Sequence, residues 1–283
     1  GPIERATNLL PQITSPRTFT YEQGRDGMRL ILWGMFKKVV VADTCAIYVN
    51  DIFANYEQYS GPTLMLGAVY FAFQIYGDFS GYSDIAIGTA RLFGIRLMTN
   101  FRTPYFSRDI AEFWRRWHIT LSTFLRDYLY IAMGGNRKGK ARRWFNLMAT
   151  MVLGGLWHGA NWNFVIWGTL HGAYLVINHA FNMFVKKVAV LAALQKTLGW
   201  KIISWFITFI AVVVAWVFFK VGTDMLSGTS GSLLDGTSTI LSAMFGMEGF
   251  ATFSADIAAL DLKFWLFLFA AFAIALGMPN MAQ

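Results

Sequence analysis

His158 stands in the stretch Gly155-Leu156-Trp157-His158-Gly159-Ala160-Asn161-Trp162, inside otherwise hydrophobic sequence. Residues 147–156 are apolar or small apart from Thr150, and the run resumes at Phe164 and stays mostly apolar to Ile177. A titratable imidazole at membrane depth costs free energy unless it faces a protein-lined cavity and has partners. Imidazole is also the side chain best suited to proton transfer near neutral pH. Trp157 and Trp162 are placed to wall a pocket around it, and Asn161 follows one turn later if the helix is continuous. The alternative is a buried histidine satisfied by a backbone carbonyl.

A second histidine lies forty residues earlier, in a basic aromatic segment. Residues 107–122 read as one helix, with Ile110, Phe113, Trp114, Trp117 and Leu121 at helical spacing. Asp109 and Glu112 have the spacing of a capping box. Trp114, His118 and Ser122 are one turn apart and share a face, with Arg115 near it. Two readings stay open on this pattern. The segment is an amphipathic interfacial helix with snorkelling arginines. Or it lines a site, with His118 inward and Arg115 and Arg116 meeting an anionic ligand. Downstream, Met133-Gly134-Gly135-Asn136-Arg137 is either a simple turn or a backbone cradle for a phosphate.

The other candidates are weaker. His171 is thirteen residues after His158, roughly 20 Å along an unbroken helix, so a small shared site would need a break. His171 and His179 are expected to make structural or interfacial hydrogen bonds. No pair of histidines has a usual ligand spacing and Cys45 is alone, so no metal, cysteine cluster or intramolecular disulfide is expected. Asp78 and Asp84 fall in Tyr76-Gly77-Asp78-Phe79-Ser80-Gly81-Tyr82-Ser83-Asp84. In apolar surroundings they need an Arg partner, a helix N-terminus or a water-filled cavity. They serve a structural pairing or a direct role in transport or chemistry. Gly77 and Gly81 permit close helix packing.

The elements that must position these residues are membrane helices. The chain of 283 residues is 55% hydrophobic and 14% charged, against about 25% charged in a soluble domain. That composition predicts a multi-pass membrane protein in contact with the lipid bilayer. The net charge of +8 does not point to nucleic acid, because the basic residues border apolar runs. Five stretches read as membrane-embedded: residues 28–49, broken by Lys37, Lys38 and Asp43 and so interfacial or tilted with the lysines snorkelling; 64–93, long enough to break or re-enter; 144–185, long enough for two helices; and the clean spans 202–219 and 262–278. The third should break at Gly154-Gly155 or at Gly159-Ala160-Asn161.

Twelve Lys or Arg lie between Arg91 and Arg143, and Lys186, Lys187, Lys196 and Lys201 precede the fourth span. Residues 222–261 carry five acidic residues and no Lys or Arg. The positive-inside rule therefore places the basic stretches in the cytoplasm and the Gly- and Ser-rich acidic loop, expected to be mobile, outside. There is no internal repeat and no soluble second domain, so residues 1–283 are expected to form a single membrane domain.

Several of these segments occur in a familiar order. They are Gly1-Pro2-Ile3-Glu4-Arg5, Trp33-Gly34-Met35-Phe36-Lys37-Lys38, Gln74 through Asp84, Asn100-Phe101-Arg102-Thr103-Pro104-Tyr105, Phe113-Trp114-Arg115-Arg116-Trp117-His118, Gly134-Gly135-Asn136-Arg137 and Gly155 through Ala160. Over about residues 1–220 the chain resembles the membrane-bound O-acyltransferase family. It is most similar to the bacterial branch typified by the membrane subunit of alginate O-acetylation. The resemblance implies an all-α, multi-pass helical bundle with re-entrant or interfacial helices around a central funnel. It implies that His158 corresponds to the essential family histidine and His118 to a second one. Gly1-Pro2 alone reads as a protease-site scar, but its likeness to a mid-chain family motif predicts an internal fragment with N-terminal spans missing. Ala132-Met133 departs from the branch, which has Pro-Leu before the turn glycines.

The resemblance further implies a bacterial inner-membrane enzyme with no bound cofactor, acetyl-CoA as thioester donor and extracytoplasmic polysaccharide-modification partners. Alginate is the implied acceptor; related branches act on peptidoglycan or in teichoic-acid D-alanylation. In the expected mechanism neutral His158 takes the proton of the acceptor hydroxyl, and His118 orients the reactants or stabilises the oxyanion. Asn161 and Trp157 are weaker candidates for orientation or oxyanion contact. Arg115, Arg116, Arg137, Gly134 and Gly135 are candidates for holding the donor at the cytoplasmic mouth. The rivals are a transporter or channel using Asp78 and Asp84, and a non-catalytic scaffold.

Overall fold

In the computed structural model, which describes residues 2–226, 235–247 and 262–277, every regular element is helical. Helices α1 (Ala6–Thr14) and α2 (Tyr21–Met35) lead into a π-helical stretch, Phe36–Ala42, and then α3 (Asp43–Ala54). The long α4 (Gly61–Leu92) is followed by an irregular segment and two short helices, α5 (Ile110–Arg116) and α6 (Ile119–Leu125). A second π-helical stretch, Arg126–Tyr130, precedes α7 (Gly139–His158) and α8 (Trp162–Val185). The described chain ends with α9 (Ala189–Leu194), α10 (Leu198–Leu226), α11 (Asp235–Met244) and α12 (Leu262–Gly277).

The stretch expected to break or re-enter is one unbroken helix. Pro62 lies in the first turn of α4 and Arg91 complements its last turn. Its 32 residues extend about 48 Å. The glycines inside it serve packing. A Cβ on Gly81 would meet the Gly34 carbonyl oxygen of α2 at 2.7 Å, and one on Gly34 would meet the Gly81 carbonyl at 2.5 Å. Close backbone approach therefore joins α2 to α4.

Asp78 and Asp84 pair with lysines rather than with arginine. Lys37 meets Asp84 at 2.5 Å, and Lys38 meets Asp78 at 2.7 Å and Asp43 at 2.6 Å. Lys37 is buried and does not snorkel; the π-helical stretch turns it toward α4. π-Helical insertions re-aim side chains in this way.

The third apolar stretch breaks at the second of the two expected places. Helix α7 ends at His158 and α8 begins at Trp162, with Asn161 as its cap. The two helices pack closely because a Cβ on Gly155 would overlap the Phe164 carbonyl, and one on Gly168 would overlap the Met151 carbonyl.

One helical segment among the described residues, Leu198–Asp224 in α10, is long and apolar enough to cross a membrane, with a mean hydropathy of 2.6. It contains the expected fourth span. The expected stretches 28–49, 64–93 and 144–185 carry charged or amide side chains that lower their hydropathy, such as Lys37, Asp84, Asn163 and Asn178, and the described helix of the fifth, Leu262–Gly277, is apolar but only 16 residues long. Part of the expected acidic outer loop is ordered: α11 buries Thr237, Ile240, Ala243 and Met244. The rest of that loop, 227–234 and 248–261, lies outside the described residues.

Candidate active site

The site is built where the basic aromatic segment fails to continue as a helix. Asp109 caps α5, its Oδ1 accepting the Glu112 N–H at 2.8 Å. The helix then stops at Arg116, and His118 adopts a left-handed backbone with φ of +42°. That conformation costs an L-residue about 1–2 kcal/mol and persists where surrounding bonds over-determine it. Here the segment after α4 supplies them. Arg102 N–H donates to Arg116 O and Ile119 N–H donates to Asn100 O, both at 2.9 Å. The expected single helix is thus two helices clamped by an extended strip, and α6 starts at Ile119.

The N-terminal residues reinforce this corner. Ile3 N–H donates to Thr120 Oγ1 at 3.0 Å, and Arg5 pairs with Asp127 at 2.8 Å. The Arg5 guanidinium also lies over the Phe124 and Tyr128 rings.

Trp114, His118 and Ser122 still come together, because all three line one cavity of about 550 Å³. Residues of α4 to α8 and α10 wall it. His158 lines it as the last residue of α7, surrounded by aromatic rings. Its ring centroid is 5.3 Å from Trp167, 5.0 Å from Phe219 and 6.2 Å from Phe164. His118 lines the same cavity, edge-on to Phe79 at 4.6 Å, with its Nδ1 3.0 Å from Asn100 Oδ1. Burial, and after it the neighbouring His158, lower the His118 pKa, so the ring is neutral at neutral pH.

Part of the cavity wall is basic. Arg115, Arg126, Arg143 and His179 contribute to it, with Tyr130 and Asn136 hydrogen-bonded at 2.6 Å. Arg143 stands fifteen positions before His158 on α7, about 22 Å along the helix. One apolar passage thus joins a cationic region to two imidazoles.

Other expected site residues are placed elsewhere. Arg116 bonds Glu112 at 2.7 Å and does not line the cavity. Arg137 is exposed outside it. Gly134 and Gly135 have positive φ, and their amides donate to Ile131 O and Tyr130 O, so the turn uses its own N–H groups. Asn161 Oδ1 caps α8 through Asn163 N–H, and its Nδ2 donates to Gly222 O at 3.3 Å. Trp157 stacks edge-on to His158 at 5.0 Å but is largely exposed and does not line the cavity, and neither does Trp162. His171 is fully buried behind the wall, 5.1 Å from the Trp114 ring and 4.9 Å from Trp167. No group of three or more His, Cys, Asp or Glu among the described residues is arranged to hold a metal.

Sequence reasoning did not single out Arg126, Arg143, His179 or Asn100 as site residues. The two arginines belong to the basic stretch already read as cytoplasmic, but choosing them needs the α7–α8 packing. Asn100 sits in a family segment, without a spacing that links it to His118.

A family model, membrane-bound O-acyltransferase family, matches residues 28–220. The chain belongs to that family. The match includes His118, His158 and His179 and all three cavity arginines. This O-acyltransferase-family chain is 46% identical over 220 residues to the probable alginate O-acetylase AlgI of Pseudomonas syringae pv. tomato, covering 78% of the chain and 40% of that protein. It is 38% identical over 251 residues to the peptidoglycan O-acetyltransferase of Helicobacter pylori, covering 88% of the chain and 44% of the relative. It is also 36% identical over 172 residues to the teichoic acid D-alanyltransferase of Streptococcus thermophilus, covering 56% and 41%. The chain therefore spans about two fifths of the length of these relatives.

Proposed function

We propose that this chain forms the catalytic part of a multi-pass inner-membrane O-acyltransferase. It moves an acetyl group from a cytoplasmic thioester, acetyl-CoA, to a hydroxyl on the path to an extracytoplasmic polysaccharide such as alginate. The observation that carries this reading is the pair His118 and His158 on one cavity whose wall also bears Arg115, Arg126 and Arg143. Relatives named for alginate and peptidoglycan O-acetylation support the acyl group and the acceptor class.

Acyl transfer needs a base for the hydroxyl proton and a donor for the carbonyl oxygen. Two imidazoles supply both. The hydroxyl oxygen bonds to the thioester carbonyl carbon as its proton passes to an imidazole; the carbon–sulfur bond then breaks and the sulfur leaves with a proton. The cationic part of the wall attracts the anionic portion of the donor, and the apolar walls exclude water from the thioester. Extracytoplasmic partner proteins complete delivery to the glycan.

The test uses the full-length native protein in proteoliposomes with radiolabelled acetyl-CoA. Free CoA and a labelled acceptor should appear, and His158→Ala should lower the rate by about 10²–10⁴-fold while the protein stays folded. Accumulation of solute without thioester cleavage would support a transporter instead. Near-native transfer by a folded His158→Ala variant would remove His158 from the chemistry.

A further inference from the structure

Three donors converge on one side-chain oxygen behind His118. Asn100 Oδ1 lies 3.3 Å from Thr120 N, 2.9 Å from Thr120 Oγ1 and 3.0 Å from His118 Nδ1. A backbone N–H only donates, so this terminal atom of Asn100 is the amide oxygen and not the nitrogen. The other end agrees: Asn100 Nδ2 donates to Ser83 Oγ at 3.2 Å. Thr120 Oγ1 accepts from Ile3 N–H and so turns its own hydrogen to Asn100.

An amide oxygen only accepts. His118 Nδ1 must therefore carry a hydrogen, and the lone pair of the neutral ring is on Nε2. Ring rotation that would exchange the nitrogens is opposed by Phe79 at 4.6 Å and Phe101 at 6.4 Å, and by the left-handed backbone clamped to Asn100 O. The ring lines the cavity, so Nε2 is the nitrogen left for a reactant. His158 differs: no protein hydrogen bond among the described residues fixes its tautomer, and it can turn an N–H to a carbonyl oxygen.

We infer that Asn100 is a positioning residue that fixes His118 as the proton acceptor of the reaction and leaves His158 to hold the oxyanion. The inference rests on the acyltransferase reading and reverses the division of labour expected from the sequence. The acceptor O–H proton passes to His118 Nε2 as the new carbon–oxygen bond forms. The carbonyl electron pair moves onto its oxygen, facing the His158 N–H. When the carbon–sulfur bond breaks, the departing sulfur takes the proton back from His118. Thioester and alcohol thus become ester and thiol, with both histidines restored.

The experiment uses the full-length protein labelled with 15N-histidine, its His118 resonances assigned by their loss in His118→Gln. Native protein without substrate should give an Nδ1–H, Nε2-lone-pair pattern for His118. In Asn100→Leu that pattern should be lost and kcat should fall on the order of 10–100-fold, as for outer partners of functional histidines, with KM for acetyl-CoA nearly unchanged. Asn100→Asp keeps the accepting oxygen. It should restore the pattern and most of kcat, and move the acid limb of kcat/KM to higher pH, because a carboxylate favours the imidazolium. The other titratable or charged cavity groups, Arg115, Arg126, Tyr130, Arg143, His158 and His179, are unaltered in these variants.

An Nε2–H tautomer in the native protein, or an unmoved acid limb in Asn100→Asp, would overturn the proposal. If Asn100→Leu fails to fold, the native spectrum and the Asp variant still decide it. Absence of acetyl transfer by the native chain would sink the acyltransferase reading and the acceptor role with it. That failure is distinguishable, because the tautomer is read without substrate.

Discussion

Lys37 Nζ and Asp84 Oδ2 lie 2.5 Å apart with side chains only 3% and 7% exposed. The pair bolts the π-helical stretch to the C-terminal third of α4. Its partners are both committed, which leaves Asp84 poorly placed for ion coupling. Removing one partner of a buried pair costs about 3–5 kcal/mol, because the other charge is stranded. Lys37→Met or Asp84→Leu alone should therefore lower the thermal midpoint sharply. The double variant should recover much of the loss. Additive losses in detergent-solubilised protein would show that the two side chains act separately.

Gly155 and Gly168 set the distance between α7 and α8, and α7 carries His158 to the cavity. Gly155→Val forces its side chain into the Phe164 carbonyl. The expected cost is about 1–3 kcal/mol of overpacking. Activity should fall more than stability, because the shift moves His158 relative to His118. Gly199, with open space around its Cβ position, is the control: Gly199→Ala should leave melting and transfer unchanged.

The helical class, the break after His158 and the setting of His158 among apolar residues were legible because each has a local cause. Apolar length, a Gly-Ala-Asn turn and an isolated imidazole can be read from neighbouring residues. The break at His118 was not, because its cause is Asn100 and Arg102, far along the chain and hydrogen-bonded through backbone atoms. The partners of Asp78 and Asp84 were misread for a similar reason. Lys37 and Lys38 look like snorkelling residues until the π-helical turn points Lys37 inward. The cavity arginines divide the same way: Arg115 has a helical spacing to His118, whereas Arg143 reaches the cavity only through helix packing.

Arg143 and Arg137 provide a matched pair of tests. Both belong to one basic stretch, but Arg143 lines the cavity and Arg137 is exposed outside it. Arg143→Ala should raise KM for acetyl-CoA several-fold at low ionic strength, and the effect should shrink as salt screens the attraction. Arg137→Ala should leave KM within about twofold, as expected of an exposed charge. Equal effects from both would mean that the net charge of the basic stretch, not the cavity wall, attracts the donor.

Glu112 gives the corner around His118 a pH dependence. Burial alone would raise its pKa, but the Arg108 side chain and backbone N–H, together with Arg116, hold it below the ordinary value of 4.5. The bonds are 3.2 Å from Arg108 Nε, 2.8 Å from Arg108 N and 2.7 Å from Arg116 Nη2. A carboxyl depressed in the folded state stabilises fully above its unfolded pKa, and that stabilisation is lost as pH falls through the folded value. Arg108 is half exposed, so solvent screens its share. Glu112→Gln should cost about 1–3 kcal/mol at pH 7. The difference from the native protein should narrow once the pH drops below about 4.5 and continue to close as the native carboxylate takes up its proton. A pH-independent difference in melting would place the loss in packing rather than in charge. Because Arg116 O also accepts from Arg102 N–H, the same variant should loosen the clamp at His118 and lower transfer at pH 7.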